Sequence, residues 1–180
     1  MSGYILPYQG VMPTISSDAF VAPNATVIGN VTIGSQSSVW FNTVIRGDVM
    51  SIRIGDRTNL QDGTIVHVTG GLFDTVIGSD VLIGHRAVIH GATLEDRCFI
   101  GMGAIILDGV VVETGAMVAA GALVTPGKRV KRGELWAGRP AKFFRKIGDV
   151  EFKEFADGTE GYRQLGQQYK RTIRESSVLK

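Results

Sequence analysis

An aliphatic residue returns at every sixth position for long stretches of this chain, and that period restricts what the chain can fold into. Val21, Val27, Ile33, Val39 and Ile45 are six apart. The spacing resumes with Ile54, Leu60 and Val66, again with Ile77 and Ile83, and then runs unbroken through Leu94, Ile100, Ile106, Val112, Val118 and Val124. Four residues after many of these stands a small or β-branched one: Ala25, Val31, Ser37, Thr43, Thr58, Thr64, Ala87, Cys98, Ala104, Ala116 and Ala122. A period of six matches neither the 3.6 of a helix nor the 2 of a strand. It matches a short strand and a tight corner, repeated. One aliphatic side chain points inward, and a small one fills the place where the corner narrows. Three hexads then make a triangular coil, and stacked coils form parallel sheets down each side, a solenoid with one continuous core. Gly29-Asn30 and Gly55-Asp56 supply left-handed backbone cheaply near corners.

The six-step fails at Ile45–Ile54, a gap of nine, and at Val66–Ile77 and Ile83–Leu94, gaps of eleven. Breaks in a regular solenoid are where a loop or special site is accommodated. The last two gaps flank all the histidines of the chain: His67, His85 and His90. At about three hexads per coil, His67 and His85 are expected on adjacent coils at nearly the same corner, with His90 on the next side. Three neutral imidazoles can hold Zn²⁺ and leave a fourth position for water. Because His85 and His90 fall on different sides of the triangle, one prism does not bring them to a point. Prisms packed around a three-fold axis would, with ligands drawn from two chains.

The rest of the chain narrows the classes. A length of 180 residues suits one domain. No run of 18 apolar residues exists, so no membrane span is expected. The N-terminus lacks a basic region and a long apolar stretch, so no secretion signal is expected. The lone Cys98 suits a reducing cytoplasm. Residues 1–125 hold five Arg, no Lys and ten Asp or Glu, a net −5; residues 126–180 hold fourteen Lys or Arg and seven Asp or Glu, a net +7. Acids interleave these bases and no aromatic platform accompanies them, so nucleic acid is not expected as a partner, and the basic tail reads as a solvated helix and linker on an acidic body. The hexads give way to "LWAGRPAKFFRKI" (135–147), with a turn at Gly-Arg-Pro. Beyond it Val150, Phe152 and Phe155 suggest a short helical piece. Thr159 reads as the N-cap of a second helix whose apolar face is Tyr162, Leu165, Tyr169 and Ile173. The expected organisation is a solenoid over 1–147 with a helical segment, 148–180, packed on it.

"FNTVIRGD" (41–48), "TNLQDGTIVH" (58–67), "IGHRAVIHG" (83–91) and "FIGMGAIILDG" (99–109) closely resemble the γ-class carbonic anhydrases, hexapeptide-repeat proteins. The resemblance implies an all-β solenoid, the left-handed parallel β-helix, with a C-terminal α-helix. It implies a homotrimer whose interfaces hold a metal, Zn²⁺ with Fe²⁺ or Co²⁺ as alternatives, and the reversible hydration of CO₂ to bicarbonate. His67 and His90 would come from one chain and His85 from its neighbour. Arg46, Asp48 and Asp62 match residues linked to interface ion pairs and the shape of the site. Gln61 matches a glutamine that touches the metal-bound water or bicarbonate, and Asn59 is a polar neighbour. Tyr162 matches a tyrosine lent by the C-terminal helix. An amide can orient a nucleophile, and an arginine can hold an anionic product.

The chain departs from the most active members in carrying Val49 where they have a glutamate, and "VTGGLFD" (68–74), with only Asp74, where they have an acidic loop. Those acids are associated with proton transfer, so weak hydration is expected. Two other classes use the same scaffold. A hexapeptide acyltransferase, or a metal-dependent thioesterase, would share "GRPAK" (138–142) but an acyltransferase needs one histidine base, not a cluster. A non-enzymatic homologue would keep the metal as a structural element.

Overall fold

The aliphatic positions of the hexads do form one core. The structure, a computed structural model, describes residues 3–178. It is a parallel β-solenoid of about 7 turns with a single C-terminal helix. Val27, Val39, Ile45, Leu60, Val66, Ile83, Leu94, Ile100, Ile106, Val112, Val118 and Val124 are wholly buried, and so are the small residues Ala25, Ser37, Thr43, Thr58, Thr64, Ala87 and Ala104 four places on. Strands of two or three residues suffice because each coil bonds to the next: Val44, Ile65, Val88, Ile105 and Leu123 stack in one ladder. One face is an eight-stranded sheet. The other two merge into a twelve-stranded sheet through two long strands, Thr26–Ile33 and Val44–Ile54. The nine-residue gap lies within the strand Val44–Ile54, where the ladder steps from Gly29–Gly47 to Val31–Ile52 and three extra residues bulge out before the buried Ile52.

The second expected excursion, Ile83–Leu94, does not exist. Ile89 lies six after Ile83, is wholly buried, and leads to Leu94 five residues later. Val66–Ile77 is the longer departure from the coil. There the chain folds over itself, with Thr69 N donating to Phe73 O at 3.1 Å. Asp74 Oδ1 accepts from Ser51 N (2.6 Å) and Ser51 Oγ (2.7 Å). Residues on either side of this excursion pair 23 positions apart, as in Arg53 with Val76.

The tail is one helix, α1 (Asp149–Val178), and not two pieces. Thr159 is inside it and is no N-cap: it is buried, and its Oγ1 donates to Phe155 O at 3.0 Å. Gly158 sits over the solenoid where a Cβ would meet Leu82 Cδ1 at 3.5 Å; at Gly166 a Cβ would come within 3.1 Å of Ser38 Cβ. Close approach to the sheet offsets the roughly 1 kcal/mol that each glycine costs a helix. Leu165 is exposed, and the buried stripe is Thr159, Tyr162, Gly166 and Ile173. Trp40 is the anchor of the contact, with ring centroids 5.4 Å from Tyr162, 5.3 Å from Tyr169 and 5.3 Å from Phe20. Among the described residues, no helix is long and apolar enough to cross a membrane.

Candidate metal centre

The solenoid brings His67 and His90 together. They are partners in register at the ends of strands Ile65–His67 and Val88–His90. This corrects the expectation that His67 would stack with His85: the excursion after Val66 adds five residues to that coil, so its length is 23 and not 18. The sequence signal for the true pairing is phase. Val66-His67 and Ile89-His90 each set a histidine directly after an inward residue, whereas His85 stands two after Ile83.

The pair has a specific protonation pattern. His67 Nε2 lies 2.9 Å from Asp48 Oδ1, and His90 Nδ1 lies 2.7 Å from Asp108 Oδ1. At Asp48 partial burial raises the carboxyl, and bonds from His67 and Arg46 outweigh it, so the net direction is down. At Asp108 burial is likewise outweighed by His90 and Thr69. Both carboxylates are thus ionised and only accept, so these two ring nitrogens carry the protons. In neutral imidazoles the opposite nitrogens are then lone pairs. Those are His67 Nδ1 and His90 Nε2, and they face each other at 3.1 Å. Two facing lone pairs repel unless a proton or a metal cation lies between them. Two tetrahedral Zn²⁺ ligands, each about 2.0–2.1 Å from the ion, stand roughly 3.4 Å apart. The donor set therefore fits a metal, and each ligand already has the carboxylate support that metal-binding histidines receive.

Asp108 went unremarked as a site residue in the sequence. It links His90 to the excursion, because its Oδ2 accepts from Thr69 Oγ1 at 2.8 Å. Room for it is made at Gly91, where a Cβ would come within 2.4 Å of Asp108 Oδ1. Arg46 bonds Asp48 through Nη1. Arg46, Asp48, His67, His90 and Asp108 make one group.

His85 is elsewhere, in the corner after strand Leu82–Ile83, stacked on Asp62 of the previous coil. Its Nδ1 lies 2.9 Å from Asp62 Oδ2, and its Nε2 lies 3.4 Å from the hydroxyl of Tyr162 on α1. Desolvation, with the Asp62 charge, pushes the Tyr162 phenol up. Gln61 is one residue from Asp62 and only 4% exposed, and its Nε2 donates to Asn59 Oδ1 at 3.2 Å. Asn59 Nδ2 is buried with no hydrogen-bond partner among the described residues. Asn59, Gln61, Asp62, His85 and Tyr162 make the second group. Among the described residues no three His, Cys, Asp or Glu side chains of one chain converge as a metal cage. The two groups lie on different sides of the triangle.

Comparisons with known proteins fall on this same ground. Two family models match: a hexapeptide repeat of succinyl-transferase over residues 74–107, and the bacterial transferase hexapeptide (six repeats) over 12–47 and 91–126. Fold and repeat thus define a hexapeptide-repeat protein. Gamma carbonic anhydrase 2 of Arabidopsis thaliana mitochondria is 51% identical over 86% of this chain and 58% of its own length, so the chain spans less than two thirds of that relative. The carbonic anhydrase of Geobacillus kaustophilus is 44% identical over 92% of this chain and 91% of its own. A solved hexapeptide transferase family protein of Anaplasma phagocytophilum is 49% identical with a TM-score of 0.89, covering 92% of this chain and 98% of that one. More distant structures, such as the N-acyltransferase AntD of Bacillus cereus at 16% identity and TM-score 0.61, share the fold alone. The chain belongs to the γ-class carbonic anhydrase family, and its solenoid is a left-handed parallel β-helix.

Proposed function

We propose that this chain is the subunit of a homotrimeric metal-dependent carbonic anhydrase that hydrates CO₂ reversibly to bicarbonate. The observation that carries the reading is that His67 Nδ1 and His90 Nε2 face each other at 3.1 Å, each ring held from its other nitrogen by a carboxylate. His85, with its Nδ1 proton directed to Asp62, offers the third lone pair from a neighbouring chain. Zn²⁺ suits three imidazoles, and Fe²⁺ or Co²⁺ suits them also. When bound, such an ion supplies a water that ionises near neutral pH, an effect for which carbonic anhydrases are the standard example.

The residues of the chain do the rest. Asp48, Asp62 and Asp108 fix the tautomers and hold the rings. Gln61, buried and oriented by Asn59, presents an amide to the nucleophile and lines up its attack on CO₂. Arg46 keeps part of its guanidinium fork beyond the Asp48 contact and can receive the bicarbonate anion. Tyr162 closes the His85 side. The division into solenoid, 1–147, and packed helical segment, 148–180, belongs to this reading, since the segment supplies Tyr162. So does a cytoplasmic location, which the buried thiol of Cys98 suits. Neither nucleic acid nor a membrane span has a part in it.

A second reading, a metal-binding homologue with little catalysis, is favoured by Val49 and by Asp74, whose carboxylate is already engaged by Ser51. Metal content of anaerobically purified protein, followed by stopped-flow CO₂ hydration on the same sample, separates the two. Stoichiometric metal with hydration supports the enzyme. Stoichiometric metal without it leaves the second reading, and a protein that binds no metal overturns both.

A further inference from the structure

Most of the positive charge of the tail stands ahead of the helix, on the stretch that the sequence predicts as linker. Eight Lys or Arg lie between positions 128 and 146, against one acid, Glu134. All eight are exposed. They stand on the last coil and on the antiparallel hairpin of strands Glu134–Gly138 and Ala141–Lys146, which closes one end of the prism. Three have acidic partners: Arg129 with Glu113, Arg145 with Glu151 and Lys146 with Glu134. Lys128, Lys131, Arg132, Arg139 and Lys142 form no ion pair among the described residues.

The same end carries two exposed aromatic rings, Phe143 at 51% and Phe144 at 67%. Phe144 is thrust out by backbone geometry. The hairpin ladder pairs Leu135 with Arg145 and Trp136 with Phe143, passing over Phe144. Such a bulge removes a residue from the ladder and re-aims its side chain. Only Ala141 of this strand is buried, so the remainder overhangs the core. Nucleic-acid bases can stack on exposed rings and a protein can pocket them, so both are outcomes that the test below distinguishes; two phenyl rings set among unpaired cations on one overhanging end are the layout of an interfacial anchor. A lipid surface satisfies both, with phosphates for the cations and the headgroup–acyl boundary for the rings.

We propose that the closed end of the prism is a docking face for an anionic lipid surface. The proposal does not depend on the metal chemistry. A three-fold assembly would set three such ends at one height and raise the apparent affinity. The test is co-sedimentation of the whole protein with phosphatidylglycerol-rich vesicles and with pure phosphatidylcholine vesicles. Three forms are compared: the native chain, Lys131→Gln/Arg132→Gln/Lys142→Gln, and Phe143→Ser/Phe144→Ser, each with its fold checked by circular dichroism. The native chain is expected to sediment with the anionic vesicles alone. Loss of three cations should weaken this by roughly a hundredfold, and loss of the rings should weaken it measurably. If the double Phe variant does not fold, Phe144→Ser alone serves. Equal sedimentation with both vesicles, or with neither, overturns the proposal. So does a ring-less variant that binds vesicles like the native chain, and a soluble polyanion such as heparin bound as tightly as the vesicles by both would then mark a general polyanion patch.

Discussion

Asp108 shows what a single residue adds to the candidate site. Its carboxylate holds the His90 proton and is itself held by Thr69. Asp108→Asn keeps the shape but weakens the acceptor, and metal affinity should fall about 10- to 100-fold, read by chelator competition. Thr69→Val should move it in the same direction by less. Unchanged affinity in Asp108→Asn would remove this residue from the site. Gln61 predicts the opposite separation. Gln61→Ala should leave metal stoichiometry near the native value and lower hydration about 10²–10³-fold; loss of metal instead would make Gln61 part of the scaffold. Much of this was legible: the histidines, Arg46, Asp48, Gln61, Asp62 and Tyr162 announce themselves by chemistry and by resemblance. Asp108 did not, because acids such as Asp56, Asp80 and Asp96 stand at other corners of the solenoid, and only its distance to His90 tells it apart. The His67–His90 pairing was missed because counting residues ignores chain that leaves the coil.

At the scale of the elements, the acids of the solenoid turn out to be corner pieces. Asp56 accepts the backbone N–H of Ser35, Asp96 that of Ser79, Glu95 that of Thr114 and Glu113 that of Arg132, each on a neighbouring coil. Asp18 does most at the first corner. It takes Ser16 Oγ (2.7 Å), Ser35 Oγ (2.7 Å) and Gln36 N (3.1 Å), while its carbonyl receives Gln167 of α1. Bonds from Ser16, Ser35 and Gln36 lower its carboxyl to about 2 from 3.8. A folded pKa below the unfolded one stabilises above the unfolded value and loses that contribution as pH falls through the folded value. Asp18→Asn should therefore unfold at lower denaturant than the native chain at neutral pH, and the difference should shrink between pH 3.8 and about 2. A gap that persists at pH 2 would mean that shape, and not charge, is what Asp18 provides. The strands and corners could be read from the hexads. The single helix could not, because Gly158 and Thr159 look like a helix start until the sheet they lie against is seen.

The whole molecule sets the strongest condition on the proposed function, since one prism holds two separated halves. His85→Ala and His67→Ala proteins should each fail to hold metal. Mixed and allowed to exchange subunits, they should recover part of it, because some interfaces then pair an intact His67–His90 with an intact His85. Demonstrated exchange without recovered metal would reject the shared site. Proton export is the second property of the assembly. All three histidines are committed to carboxylates or metal, Val49 carries no proton, and Asp74 is tied to Ser51. Small imidazole buffers should thus raise kcat and leave kcat/KM for CO₂ little changed, because a relay needs a group that titrates near the working pH. Stopped-flow rates over a buffer series decide this, and a fast kcat indifferent to buffer would point to another route.

The excursion after Val66 has a consequence for how such a protein can change. It leaves the ladder of Val66 and Ile89 and rejoins the chain on the ladder of Ile54, Ile77 and Leu94, each held in its own register, so the length of its tip does not enter the stacking of His67 on His90. Residues can be added to or removed from its tip without altering the register of the metal pair. Leu72, at that tip, is largely exposed. The scaffold thus keeps an editable margin beside a fixed centre, and a lineage could acquire or discard a proton carrier there while the ligands stay where they are.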